Sequence, residues 1–371
     1  MHVLVVSPIP SHPADQGNSA RICSMARQLQ ALGHLVHFLY YPLEGLAPAQ
    51  RRAMEEAWDF FHTIPADVDT GHRSMGEFFG IDDWYDASVG AVVRELHTKW
   101  QFGIVLVNYV WYSRVLEELP ADVLKVIDTH DVFGDRHLRF TEVGMRPQWF
   151  YTTIDEERRG LARADVVLAI QGVEERYFRS LLRGTATRVQ TVGYLATPKA
   201  LPRSGGGKLA IGYLGSGNPF NVASMRAFAR QAQSTGLSER YRFVLAGSIC
   251  RTLDDLAPFD ILGPLDRLEE FYGVIDCALN PMTGGTGLKI KTLEALAFGK
   301  MVAGTPDAFV GVPLRRNGGD AASAALERDL QRCEAEMTVL SPTESRLTFS
   351  DYVGVQLRHF NHIFDARNGN R

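Results

Sequence analysis

The chain of 371 residues is 45% hydrophobic and 22% charged, the balance of a globular enzyme, and is too long for one ordinary core, so two domains are expected. A formal net charge of −4 gives no electrostatic case for nucleic acid, and no apolar run of about 18 residues is present to span a membrane. Four scattered cysteines (Cys23, Cys250, Cys277 and Cys333) form no Cys-x-x-Cys and the 11 histidines show no ligand spacing, so neither a disulfide framework nor a protein-held metal is expected.

The opening HVLVV is a β-branched run of the kind buried in parallel sheets, and it reads as a first strand, not a signal peptide. A Pro/Gly loop, SPIPSHPADQGN, leads into a helix whose Ile22, Met25, Ala26, Leu29 and Leu32 share one stripe, with Gly33 as the stop. LVHFLYY follows as a strand, completing a β-α-β unit with a right-handed connection. Residues 48–100 read as helical and aromatic-rich, without a clean strand. Strands are expected at GIVLVN, VLKVIDTHD, ADVVLAIQ and VQTVGY, interleaved with helices at TTIDEERRGLAR and VEERYFRSLL.

PKALPRSGGGK, residues 198–208, has the composition of a linker. The alternation then restarts, with strands at LAIGYLG, YRFVLAG, CALNP and, as the final one, KMVAGT. Helices are expected at NVASMRAFARQAQ, at RLEEFYGVI and directly after the Gly-rich turn that follows CALNP. The fold class is therefore α/β, two doubly wound Rossmann-like domains facing a cleft. In the tail, Val353, Leu357, Phe360 and Phe364 recur at helical spacing, with Ser350 or Asp351 as N-cap.

Ligands of such sheets collect in the loops after the carboxyl ends of strands, and four of these loops carry suggestive residues. Gly17 and Asn18 open the first helix, where backbone N–H groups can face an anion or a sugar hydroxyl; an ordinary cap by Asn18 or Ser19 is the plainer alternative. Asp128, His130 and Asp131 follow an apolar strand, and an imidazole flanked by carboxylates suits acid–base work as well as a structural hydrogen bond. Gly215, Ser216 and Gly217 permit close backbone approach to a phosphate, though Gly-x-Gly-x-x-Phe lacks the third glycine of a dinucleotide fingerprint. The fourth is TGGTGLKIKTLEALAFGK, where Gly284, Gly285 and Gly287 precede Lys289 and Lys291 at a helix start and Glu294 on its apolar edge. Cations there oppose the helix dipole unless an anion is bound, and a half-buried acid suits a ribose diol; a Lys291–Glu294 surface pair is the alternative.

GTGLKIKTLEALAFGKMVAGT resembles the nucleotide-sugar motif of the group-1 (family 4-like) glycosyltransferases, which have the GT-B fold. GNSARICSMARQLQALGH, DTHD, LARADVVLAIQGVEERYF, FVLAGS and ILGPLDRLEEFYGVIDCALNP resemble successive pieces of the same family, in the same order. The resemblance implies an acceptor-side domain over 1–200, a nucleotide-sugar domain over 201–345, and a helix over 346–371 crossing back to the first. It implies that Glu294 binds the ribose, that Gly215, Ser216, Lys289 and Lys291 bind the diphosphate, and that the N–H groups of Gly287 and Leu288 face the sugar. His130, with Asp131 as a second candidate, would serve the reaction, and Gly17 and Asn18 would line the acceptor or phosphate side. Thr286 stands where the first acid of the family's Glu-x7-Glu pattern would fall.

The expected activity is glycosyl transfer from a nucleoside-diphosphate sugar to a hydroxyl of a carbohydrate, lipid-linked or small-molecule acceptor, in glycan or glycoconjugate assembly. The nucleotide sugar is a co-substrate, so no cofactor is expected; lysines and loop N–H groups would stabilise the departing diphosphate without a metal. Retention uses the donor's phosphate oxygen as base, and inversion would call on His130 or Asp131. A sugar-nucleotide epimerase of the same fold and a non-catalytic nucleotide-sugar-binding protein are the alternatives. The expected location is the cytoplasm, with peripheral contact at the inner face of the membrane compatible with it.

Overall fold

The computed structural model describes residues 1–14, 16–142, 146–147, 149–199, 201, 207–253, 255–265, 267–282 and 288–365. The chain forms two compact units, Met1–Gly193 with Gln356–Arg371, and Tyr194–Val355. The linker-like segment 198–208 lies partly outside the described residues, but its Lys199 belongs to the second unit, where its N–H donates to Ala297 O at 2.9 Å.

The first unit holds strands β1 (His2–Ser7), β2 (Leu35–Tyr40), β3 (Phe60–Thr63), β4 (Ile104–Asn108), β5 (Leu124–Asp128), β6 (Val166–Ala169) and β7 (Arg188–Thr191). They pair in parallel in the order β3-β2-β1-β4-β5-β6-β7. Val3, Leu4, Val5 and Val6 are all buried, because helices cover both faces of a parallel sheet; that is why β1 reads as an unbroken apolar run. Helix Gly17–Ala31 buries Ile22, Met25, Ala26 and Leu29 and is followed by Gly33 at a φ of 83°.

One strand of the first unit was not expected. β3 lies inside the stretch read as strandless and pairs with β2 at the sheet edge, with Phe60 opposite His37. The Phe60 and His37 rings stack at 4.1 Å, so cross-strand aromatic packing, not alternation of polarity, holds this short strand.

The second unit holds β8 (Ala210–Leu214), β9 (Arg242–Ala246), β10 (Phe259–Gly263), β11 (Cys277–Asn280), β12 (Met301–Gly304) and β13 (Thr338–Leu340) in the order β10-β9-β8-β11-β12-β13. KMVAGT is therefore not the last strand: β13 pairs antiparallel with β12, as Gly304 with Thr338. β10, also unread in the sequence, alternates buried and exposed positions at the other edge.

The tail helix starts earlier than its periodicity suggested, running from Pro342 to Phe364. Ser341 caps it: its hydroxyl accepts the Glu344 N–H at 3.3 Å, and Glu344 returns a carboxylate oxygen to the Ser341 N–H at 2.9 Å. Ser350 and Asp351 are interior to this helix, and its buried stripe is Tyr352, Gln356, Phe360 and Phe364.

In each sheet the strand order reverses beside the first strand of the unit, between β1 and β4 and between β8 and β11. Loops leaving adjacent strands at such a point diverge and leave a crevice between them.

Candidate active site

In the second unit, the loops after β8 and β11 flank the reversal. Gly215 follows β8 directly; its N–H donates to Ala246 O at 3.0 Å, and its own carbonyl accepts from Ile249 N at 2.9 Å. A side chain there would meet the Tyr213 ring at 2.4 Å, and one on Gly247, at a φ of 94°, would meet Gly215 O at 2.4 Å. The two glycines thus let the loops after β8 and β9 lie backbone to backbone. Ser216 is held by the Asn221 amide, which donates to its carbonyl at 3.0 Å and its hydroxyl at 3.1 Å.

Helix Ile290–Ala297 follows the loop after β11. Lys289 is buried at its start, and Leu288 is half-buried. Lys291 places its ammonium 5.1 Å from the centre of the Tyr213 ring, reaching from the β11 side of the reversal to the β8 side. Burial lowers its pKa to about 8, with Glu294 pulling the other way. Glu294 is 7% exposed, and burial raises its carboxyl to about 7 against the pull of Lys291 and Lys199.

Neither the Lys291 ammonium nor the Glu294 carboxyl makes a hydrogen bond or ion pair among the described residues, so the surface-pair alternative does not hold. The Tyr213 hydroxyl and the Asn280 side-chain oxygen are likewise buried without partners. Asn280 lines a crevice with Lys291, Thr292, Leu214 and Tyr272. Four polar groups without hydrogen-bond partners among the described residues, around one strand reversal, form an environment suited to a polar ligand. Gly287, with Thr283–Thr286, lies outside the described residues.

In the first unit, the loops after β1, β4 and β5 meet. Gly17 is exposed and opens its helix, and the Asn18 amide donates to the Tyr109 hydroxyl at 3.2 Å. The side chains of Ser19 and Asn18 both bond the first turn: Ser19 Oγ accepts the Gln16 N–H at 3.2 Å, and Asn18 Oδ1 accepts the Ser19 N–H at 2.9 Å. Tyr109 and His130 both have positive φ, 71° and 60°, which side chains of this size rarely adopt. Their rings stack at 4.2 Å, and a 2.7 Å hydrogen bond from Asp131 N to Thr129 O closes a tight turn about His130.

His130 Nε2 lies 2.9 Å from Asn108 Oδ1 and 3.3 Å from Asp128 Oδ2. Burial lowers the imidazole pKa to about 4, with Asp128 opposing the fall and Arg21 adding to it. Asp131 turns elsewhere: one oxygen accepts the Val132 N–H at 2.9 Å, and the other lies 3.3 Å from Arg136 Nη2. The carboxylate serving His130 is Asp128.

Sequence reasoning brought together Gly215, Ser216, Leu288, Lys289, Lys291 and Glu294 in one unit, and Gly17, Asn18, His130 and Asp131 in the other. It missed Tyr213 and Asn280, whose signal was a polar group at the end of an apolar strand. It also missed Arg21, Asn108 and Tyr109, of which only Asn108 carried that same signal. Among the described residues no group of three His, Cys, Asp or Glu side chains is placed to hold a metal ion, and no helix is long and apolar enough to cross a membrane.

Residues 208–328 match the family Glycosyl transferases group 1. No curated protein sequence matches the chain. Among solved structures, a glycosyltransferase from Rickettsia africae is similar at a TM-score of 0.62 and 12% identity, covering 100% of this chain and 99% of that one. The sucrose-phosphate synthase of Thermosynechococcus elongatus is similar at 0.59 and 14% identity, over 98% of this chain and 96% of its own. HepE of Anabaena, solved with UDP-glucose, is similar at 0.59 and 12% identity, over 99% and 98%. The fold is GT-B, and the stretch that matches the group 1 glycosyltransferase family lies within the second unit.

Proposed function

We propose that the chain transfers a sugar from a nucleoside-diphosphate sugar, bound in the second unit, to an acceptor hydroxyl. The observation that carries the reading is Glu294: a carboxylate buried beside Lys291, with no hydrogen-bond partner among the described residues. A carboxyl enclosed in this way and left without a protein hydrogen bond is open to donors on a ligand, and two adjacent hydroxyls supply them. The ribose of a nucleotide has that shape. Lys291 and Lys289 then meet the diphosphate, and the loop at Gly215 and Ser216, on the β8 side of the strand reversal, borders it. HepE's complex with UDP-glucose, on the same fold, is consistent with such a donor.

As the glycosidic bond breaks, negative charge accumulates on the leaving diphosphate, and a fixed ammonium stabilises that charge more than it stabilises the donor. The charge is met in this reading by lysines without a metal. In this reading configuration is retained: Asp131 is engaged by Arg136 and Val132, which supports the donor's own phosphate oxygen as the group that takes the acceptor proton. Product anomer analysis by NMR checks that part.

Thermal shift of the wild type with UDP, GDP, ADP, CMP and dTDP tests the whole. One of these should stabilise the protein, and the same nucleotide should stabilise Glu294→Ala far less. Stabilisation by none of them overturns the reading.

A further inference from the structure

Asp128 and Arg21 are both fully enclosed, and the guanidinium takes both carboxylate oxygens. Arg21 Nε donates to Oδ2 at 2.9 Å, and Nη2 donates to Oδ1 at 2.7 Å and to Val192 O at 2.7 Å. Burial is the first cause that keeps the His130 imidazole neutral and Asp128 opposes it; holding that carboxylate in the Arg21 fork weakens the opposition.

The hydrogen on His130 is assigned by its neighbour. The Asn108 amide nitrogen is spent on Val6 O at 3.1 Å, so Asn108 presents its oxygen to His130 Nε2, which must therefore carry the hydrogen. Nδ1 keeps its lone pair and has no partner among the described residues. The Tyr109 ring covers one face of the imidazole.

The other charged groups nearby do not change this balance. Asp131, from the following turn, is paired with Arg136 of helix Arg136–Glu142. Glu174, from helix Gly172–Leu181, is pushed up to about 8 by burial and then by Asp131, so it is largely uncharged at neutral pH.

We propose that Arg21 acts through Asp128 to keep His130 a neutral imidazole, so that His130 Nδ1 accepts a hydrogen bond from a substrate hydroxyl and positions it without removing its proton. Arg21 and Asp128 are positioning residues. The identity of the hydroxyl rests on the glycosyl-transfer reading; the protonation state does not.

The test is the imidazole NMR titration of the ligand-free full chain, with the His130 resonances assigned from His130→Gln. The wild type should show the Nε2–H tautomer at neutral pH and a midpoint below about 5. In Arg21→Met the freed Asp128 charge should raise the midpoint by about 1–3 pH units, and Arg21→Met/Asp128→Asn should lower it again. Should Arg21→Met not fold, Arg21→Lys, which cannot take both oxygens, should move the midpoint the same way by less. A wild-type midpoint between about 6 and 7, or no upward movement in the folded Arg21 variant, overturns the proposal. No substrate enters this measurement, so failure of nucleotide binding leaves it standing, and its failure leaves the donor site untouched.

Discussion

Lys291 and Glu294 sit three residues apart on one helix and yet form no ion pair: the ammonium lies 5.1 Å from the centre of the Tyr213 ring, and the carboxylate is buried without a partner among the described residues. Oppositely charged groups at this spacing ordinarily meet at a surface. Here burial raises the acid to about 7 and lowers the base to about 8, so at neutral pH the acid loses much of its usual charge while the base keeps most of its own. A ligand carrying hydroxyls and phosphate relieves both at once.

Replacing Glu294 by Gln should weaken nucleotide binding about 10- to 100-fold, the value of a hydrogen bond to a charged acceptor. Calorimetric titration with whichever nucleotide stabilises the wild type measures this. Unchanged affinity would show that Glu294 does not touch the ribose.

The ligand-free stability carries the same signature. Burial gives Glu294 a folded pKa of about 7 against an ordinary value of 4.5, so the folded state holds the proton more tightly. Its contribution is fully present below the unfolded pKa and is lost as pH rises towards 7, by an amount on the order of 3 kcal/mol. Glu294→Gln should flatten the fall in unfolding free energy between pH 5 and pH 8 in urea titrations, with Glu157 and Glu174 retaining their own share of it.

For Lys291 the sign is opposite. Its pKa is lowered to about 8 in the free protein, whereas binding of a diphosphate favours the ammonium. Binding should therefore draw a proton from solution near pH 8, and affinity should fall as pH rises above it. Titrations in buffers of different ionisation enthalpy detect the uptake, which Lys291→Arg should abolish.

Breaking the Arg21–Asp128 pair from one side should destabilise the first unit by about 3–5 kcal/mol, because the remaining charge stays buried. Arg21→Met/Asp128→Asn should recover part of that loss. Urea denaturation of the two single variants and the double variant gives the coupling; additive losses would mean that the contact is not the source of the stability.

Gly247→Ala should cost about 1–3 kcal/mol and weaken nucleotide binding in parallel, since a methyl at a φ of 94° would press on Gly215 O. Thermal unfolding with and without nucleotide separates the two effects. A variant as stable as the wild type, binding as tightly, would show that the loops after β8 and β9 shift freely.

Much of the architecture was legible because its signals are local. The run HVLVV, the Ile22–Leu29 stripe and the strand–helix alternation each reflect burial along a single element. β3 and β13 were not, because each is a short edge strand whose pairing is decided by its neighbour, not by its own pattern. The cap of the tail helix was missed for a similar reason: Ser341 and Glu344 form a capping box ahead of the stripe that drew attention.

The chemistry divides in the same way. Sequence alone singled out the glycines, lysines and Glu294 after β11, and His130 after β5, as candidates, because unusual residue types stood at the ends of apolar strands. It could not pair Arg21 with Asp128, 107 positions away, or Asn18 with Tyr109, 91 positions away. Those contacts exist because β1 and β4 are neighbours in the sheet and β5 lies beside β4. Strand order is a property of the folded sheet, and it alone decides which strand-end side chains share a dielectric, a charge and a proton.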